Sequence, residues 1–376
     1  MRAERARHIA LLLPLLLPVL LLPGCRGAET PVYTIQFVAF DAAVDLSIVG
    51  KLKEDAQTAA SEVEQDFLFL DHATRTWKPG AMTRVNELLA TGEPFAAPPS
   101  LLPLLRESQT LSRESQGLFN PAIGHLSRLW GFETDDPECR PPPSKAAIAR
   151  LVEAKPSMDD LYLDGFMLQS DNPAVRLDFD AIVVGYSMDL AMDNLRARGV
   201  RHALINLGGD VRTIGDRVGR PWRVPVRRGS GGGVLGTLDV VGDMAVFTSS
   251  EYARNFIYEG KTYSDVIDPR TGYPVTGVQA VTVLNEGSAA VAEAAAYALM
   301  VAGTEGWQDL AARLGLRYVL LSDEAGTVHM TPAMAERIEL FDPHTDVNIS
   351  PPIGQSSDQS LSPARGAPAD QGAPDV

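Results

Sequence analysis

The chain is poor in cysteine, in aromatic residues and in positive charge. Only two cysteines, Cys25 and Cys139, occur in 376 residues. No cluster of cysteine and histidine ligands can be built from them, which removes the zinc-ribbon and iron–sulfur classes. Thirty-three lysines and arginines stand against 48 aspartates and glutamates, for a formal net charge of −15. A nucleic-acid partner needs a basic footprint, so that class is excluded too. No internal repeat is present. One long apolar run occurs, the 14 residues Ile9 to Leu22, interrupted by Pro14 and Pro18. It falls short of the roughly 20 residues that a membrane-spanning helix needs.

That run belongs to an address. Arg2, Arg5 and Arg7 precede it, and Leu22-Pro23-Gly24-Cys25 follows it. A basic start, an apolar run and a small residue before a break are the layout of a secretory signal. Its end resembles a lipobox, so residues 1–25 are expected to be a lipoprotein-type signal peptide. Cys25 is then the lipidation site, and the protein is exported, periplasmic and anchored to the membrane by its acyl chains. Ordinary cleavage near Ala28 is the competing reading. If Cys25 is lipidated, Cys139 is the lone thiol and no intrachain disulfide forms.

The remainder divides into a folded body over residues 30–342 and a tail over 343–376. The tail is rich in Pro, Gly, Ser and Asp, and it lacks the apolar surface that offsets ordering entropy, so disorder is expected. Glu133 to Ser144 reads as a solvent loop. Thr34 to Ile48 alternates like one strand, and Leu161 to Leu177 like a hairpin turning near Asp171-Asn172-Pro173. Helical spacing marks Val49 to Leu70, Pro99 to Ser115, Lys145 to Ala154, Val184 to Arg198, Ala289 to Ala302 and Gly306 to Leu314. Strands fall between them without an even βαβ rhythm. The fold class is α+β: mixed sheets with packed helices in a single large domain.

Five short blocks stand out, and each has a bland explanation. Gly208-Gly209-Asp210 after a strand is first a turn. Asp268-Pro269-Arg270-Thr271-Gly272 has the composition of a turn, with Pro fixing φ and Gly accepting a positive φ. Thr248-Ser249-Ser250 suits a helix cap. Trp130-Gly131-Phe132, downstream of Gly117-Leu118-Phe119-Asn120, suits a core. Asp178 leads into Gly185-Tyr186 at a helix start.

Together and in this order, the blocks resemble the ApbE family of FAD:protein FMN transferases. That family runs approximately as a Met-Gly-Thr start, G-x-F-D-x-T with W-G-F, D-x-x-x-x-x-K-G-Y, N-x-G-G-D, T-S-G-x-Y-x-R, H-x-I-D-P-x-T-G and A-D-x-x-x-T. The resemblance covers about residues 33 to 335. It implies a T-fold-like α+β domain that takes FAD as substrate with Mg²⁺. The implied partner is a target flavoprotein of a membrane or periplasmic electron-transfer system, whose Thr or Ser hydroxyl receives FMN as AMP leaves.

Carried over position by position, the resemblance makes Asp178 a flavin contact and the Ala181 carbonyl a metal ligand. Leu118, Phe119 and Asn120 fall on the flavin-binding segment, with Asn120 replacing the usual Asp. Phe40 stands where the Met-Gly-Thr methionine would be. Tyr252, Arg254 and Ile267 fall at further cofactor positions, as does Val184, which replaces the usual Lys. Glu293 and Tyr297 occupy the metal positions of A-D-x-x-x-T. Asp265 replaces the histidine, leaving a carboxylate as the catalytic base; its ordinary pKa near 3.9 makes it weak at pH 7 unless shifted. Asp180 adds an acid where the family has a small residue. Two functions follow: a working FMN transferase, or a catalytically impaired, lipid-anchored flavin-binding relative. Hydrolysis of FAD to FMN and AMP stands behind them.

Overall fold

The computed structural model describes residues 30–134, 136–229 and 232–353. The expected signal peptide, Cys25 and the tail beyond residue 353 lie outside the described residues. From Pro31 onward the chain clusters as one unit. Among the described residues, no helix is long and apolar enough to cross a membrane.

A nine-stranded sheet forms the backbone of this unit. Its strands lie side by side in chain order: Val32–Ala39, Ala42–Val49, His202–Leu207, Asp210–Ile214, Met244–Ser250, Val278–Glu286, Tyr318–Asp323, Val328–Met330 and Val347–Ile349. All neighbours are antiparallel except the last pair. Strand side chains alternate between faces, so a strand covered on both sides needs apolar residues at every position. The first four residues of Tyr318–Asp323 meet that need: Val319 and Leu321 enter the core under the helices, whereas Tyr318 and Leu320 enter a second core on the opposite face. The helices Lys53–Thr74, Val183–Ala197 and Ala289–Arg313 cover the first face. The three-stranded sheet of Trp222–Arg227, Val234–Val240 and Ile338–Leu340 covers the second.

A third, smaller core lies under two of the motif blocks. Trp130 stacks on Tyr263 with ring centroids 5.5 Å apart, and Tyr263 stacks on Phe256 at 5.2 Å. The Trp130 Nε1–H donates to the Gly272 carbonyl at 2.8 Å. Gly272 has φ +75°, and a side chain there would collide with Ile148 and Val152. The Trp-Gly-Phe and Asp-Pro-Arg-Thr-Gly blocks are therefore two halves of one packed corner.

Three expectations are corrected. Thr34 to Ile48 is two strands, folded back at Phe40 and Asp41, whose φ values are +52° and +60°. Two consecutive positive φ values give the primed turn that matches strand twist. The hairpin beginning at Leu161 turns at Gly165-Phe166, joining Leu161–Asp164 to Met167–Ser170, and not near Asp171. The tail does not start at residue 343, because Val347–Ile349 pairs in parallel with Val328–Met330 and extends the main sheet. The break expected between the two C-terminal helical segments is present at Gly303, where φ is +72° inside Ala289–Arg313.

Candidate active site

Two helix starts meet at the centre of the unit. Helix Val183–Ala197 follows Ile182, which has no side-chain oxygen with which to cap it. The missing acceptor comes from the other helix: the Gly185 N–H donates to Glu293 Oε2 at 2.6 Å. The exchange is mutual. Asp189, one turn beyond Gly185, accepts the N–H groups of Ala289 (2.7 Å) and Ala290 (3.1 Å) and the Ser288 hydroxyl (2.8 Å). The Arg212 Nε–H donates to the same carboxylate at 2.8 Å, and its side chain is 3% exposed. Unpaired N–H groups and the partial positive charge of a helix start both favour a carboxylate there. Gly185 is what lets the helices approach, since a Cβ there would lie 2.4 Å from the Ala289 carbonyl oxygen.

A cleft of about 180 Å³ opens beside this junction. Phe119, Asn120, Asp178 and Ala181 line it, as do Arg254, Asp265, Glu293 and Tyr297. Eight residues from distant parts of the chain, all singled out by sequence, thus share one wall. Two further acids complete it: Asp180, noted in the sequence as an added acid, and Asp210. Asp210 ends the Asn-x-Gly-Gly-Asp block. Gly208 and Gly209, at φ +62° and +116°, make the turn between strands His202–Leu207 and Asp210–Ile214. Asp210 Oδ1 then accepts the Thr248 N–H at 2.9 Å. The sequence signal for Asp210 was its block, whose twin glycines drew the attention.

Other positions fall elsewhere. Phe40 is the hairpin tip: its N–H donates to Asp71 at 3.0 Å and its ring packs on Phe67. Leu118, Val184, Tyr252 and Ile267 do not line the cleft. Ile267 is fully buried behind it and holds Tyr297, donating its N–H to the phenol oxygen at 2.9 Å and accepting the hydroxyl at 3.3 Å. Tyr297 is the position that the family resemblance gives to the metal, and it lines the cleft. Its hydroxyl is occupied by backbone, and burial raises its pKa and keeps it neutral.

The cleft is strongly acidic. Burial pushes Asp265 up to about 6, with Arg254 pulling the other way and Asp178 adding to the rise. Burial holds Glu293 well above the usual carboxylate range against the Gly185 N–H, and Asp210, Asp180 and Asp189 add repulsion. Asp180 is raised to about 7 by lost hydration and by Asp178, against Arg254. Its side chain is 39% exposed and lines the cleft. Among the described residues no three acidic, histidine or cysteine side chains close into a ready ion cage. Mg²⁺ does not require one, since it retains waters and shares substrate phosphate oxygens. Hard oxygen donors with raised pKa values around an open space suit such a cation.

Asp210 is raised to about 7 by burial, opposed by the Thr248 N–H and Arg227. A carboxyl whose folded pKa exceeds its unfolded one supports folding below the unfolded value, near 4, and loses that support as pH rises through 7. Asp210→Asn, which keeps the acceptor for Thr248, should raise the thermal midpoint at pH 7.5, and the gain should vanish near pH 4. Thermal unfolding across that range is the check, and an equal gain at both ends would contradict the assignment.

Comparison with known proteins places this geometry. Residues 32–320 match the ApbE family. The FAD:protein FMN transferase of Rhodobacter capsulatus is 37% identical over 312 residues, which is 83% of this chain; the chain spans 59% of that relative's length. The FAD:protein FMN transferase of Vibrio cholerae serotype O1 is 31% identical over 259 residues, 67% of this chain and 75% of the relative. Among solved structures, the apo flavinyl transferase ApbE of Pseudomonas stutzeri is similar with a TM-score of 0.71 and 28% identity, over 82% of this chain and 97% of that one. The chain belongs to the ApbE family.

Proposed function

We propose that this protein is an FAD:protein FMN transferase that moves FMN from FAD to a Thr or Ser hydroxyl of a target flavoprotein and releases AMP. The observation that carries the reading is the convergence of Arg254, Asp265, Asp178 and Glu293 on one cleft, in a chain whose relatives bear that name. In the step, the acceptor oxygen attacks the FMN-side phosphorus, a phosphodiester forms, and the phosphoanhydride bond to AMP breaks. The acceptor proton goes to Asp265. A carboxyl near 6 is largely ionised at pH 7 and far more basic than an ordinary aspartate, which suits it to that task. The histidine-to-Asp265 change is thereby compatible with turnover.

Charge on the diphosphate needs a counterion. Arg254 supplies one guanidinium. The Ala181 carbonyl and Glu293 would hold Mg²⁺, which when bound neutralises further phosphate charge. Glu293 spends Oε2 on Gly185, and Oε1 has no protein partner among the described residues. Phe119 and Asn120 line the same cleft and would position the flavin portion. Asn120 is itself fixed, donating Nδ2–H to the Pro156 carbonyl at 2.9 Å.

With FAD, Mg²⁺ and an acceptor domain, covalent flavin fluorescence should appear on the acceptor after denaturing electrophoresis. Asp265→Ala should slow transfer by roughly 10²–10⁴-fold, the usual contribution of a general base, while FAD affinity changes little. Undiminished transfer would remove Asp265 from that role. FAD binding by the wild type without transfer would favour the impaired-relative reading.

The location is part of the same proposal. Exported and anchored through Cys25, the transferase would meet partners at the periplasmic membrane face. The lipobox-like Leu22-Pro23-Gly24-Cys25 supports this. Cys25→Ser should move the protein from the membrane fraction to the soluble periplasm, and retention in the membrane would contradict the anchor.

A further inference from the structure

Arg254 is held from three sides. One nitrogen, Nη2, donates to the carbonyls of Phe132 and Thr134. The guanidinium carbon lies 5.4 Å from the centroid of Trp77, whose ring also receives Arg75 at 5.3 Å. The third contact is of another kind. Nη1 donates to Asp180 Oδ2 at 2.9 Å, and Asp180 is a carboxylate on the wall of the cleft.

These partners differ in freedom. Carbonyls and an indole ring hold the guanidinium in place. The Asp180 side chain is 39% exposed against 24% for Arg254, and it can turn away without moving the fold. A carboxylate and a phosphate present oxygens to a guanidinium with the same fork geometry. Asp180 is also crowded by its own kind, since it lines the cleft together with Asp178, Asp210 and Asp265.

Building on the transferase reading, we propose that Asp180 is a built-in stand-in for the ligand's diphosphate: it occupies Arg254 until a pyrophosphate-bearing ligand displaces it. Asp180 is then a specificity residue. It sets a threshold that a single weak anion does not cross, because any ligand must replace an existing ion pair. A diphosphate crosses that threshold with its several oxygens. The released carboxylate is left facing the cleft, where a divalent cation arriving with the ligand provides its new partner.

The test is a double-mutant cycle by titration calorimetry on the full chain, with inorganic pyrophosphate as probe and chelator present. The four proteins are wild type, Asp180→Asn, Arg254→Gln and the double variant, each checked for folding by circular dichroism. Asp180→Asn should tighten pyrophosphate binding roughly tenfold when Arg254 is present and hardly at all when it is Gln, a tenfold coupling being well within the range for contacting residues. Equal tightening in both backgrounds would assign the effect to general charge removal and overturn the displacement. Unchanged or weaker binding by Asp180→Asn would overturn it as well. A parallel titration with FAD and Mg²⁺ separates the two claims: failure of every protein to bind FAD sinks the transferase reading, whereas the pyrophosphate cycle still decides the role of Asp180.

Discussion

The site depends on two helices that cap each other. Glu293 closes the start of Val183–Ala197 through Gly185, and Asp189 closes the start of Ala289–Arg313 through Ala289 and Ala290. The two carboxylates and the amides they serve are each one turn apart on their own helix. The partial positive charges of two helix starts would otherwise repel at close range, and each carboxylate answers one of them. Gly185 allows the contact, and Arg212 fixes Asp189 from the sheet side. Glu293 is placed by this junction, and the turn carrying Asp178 to Ala181 leads directly into one of its helices.

Around that anchor the molecule collects negative charge that it does not neutralise internally. Asp178, Asp180, Asp210, Asp265 and Glu293 border one cleft with Arg254 the cation among them. For folding alone the arrangement is costly, as the raised pKa values of Asp265, Asp210 and Glu293 record. It suits the proposed ligand, a polyanion arriving with a divalent cation, and the proposed use of Asp265 as a base. Tyr297, hydrogen-bonded to the Ile267 backbone, lines the same cleft.

Much of this was legible in the residues. The α+β class and most helix bounds follow from periodicity, and the grouping of Asp178, Arg254, Asp265 and Glu293 is what the resemblance to the ApbE family implies. The failures have physical causes. No glycine, proline or asparagine marks the turn at Phe40 and Asp41, so one strand was read where two pair. Val347–Ile349 is too short and its surroundings too polar to show a strand; its order comes from an edge offered by Val328–Met330. Asp189 sat in a recognised block with no role, because a cap supplied from 100 residues away leaves no local mark. The family resemblance could place Tyr297 near the metal position, but only contacts reveal that its hydroxyl bonds to backbone.

The reciprocal junction is the claim on which the rest stands, and amide hydrogen exchange reads it directly. In Asp189→Ala the amides of Ala289 and Ala290 lose their acceptor and must exchange faster. The account predicts that the Gly185 amide, which touches only Glu293, accelerates with them, because the two caps hold one interface. A Gly185 amide that keeps its wild-type protection while Ala289 and Ala290 open would show two independent caps and contradict the account.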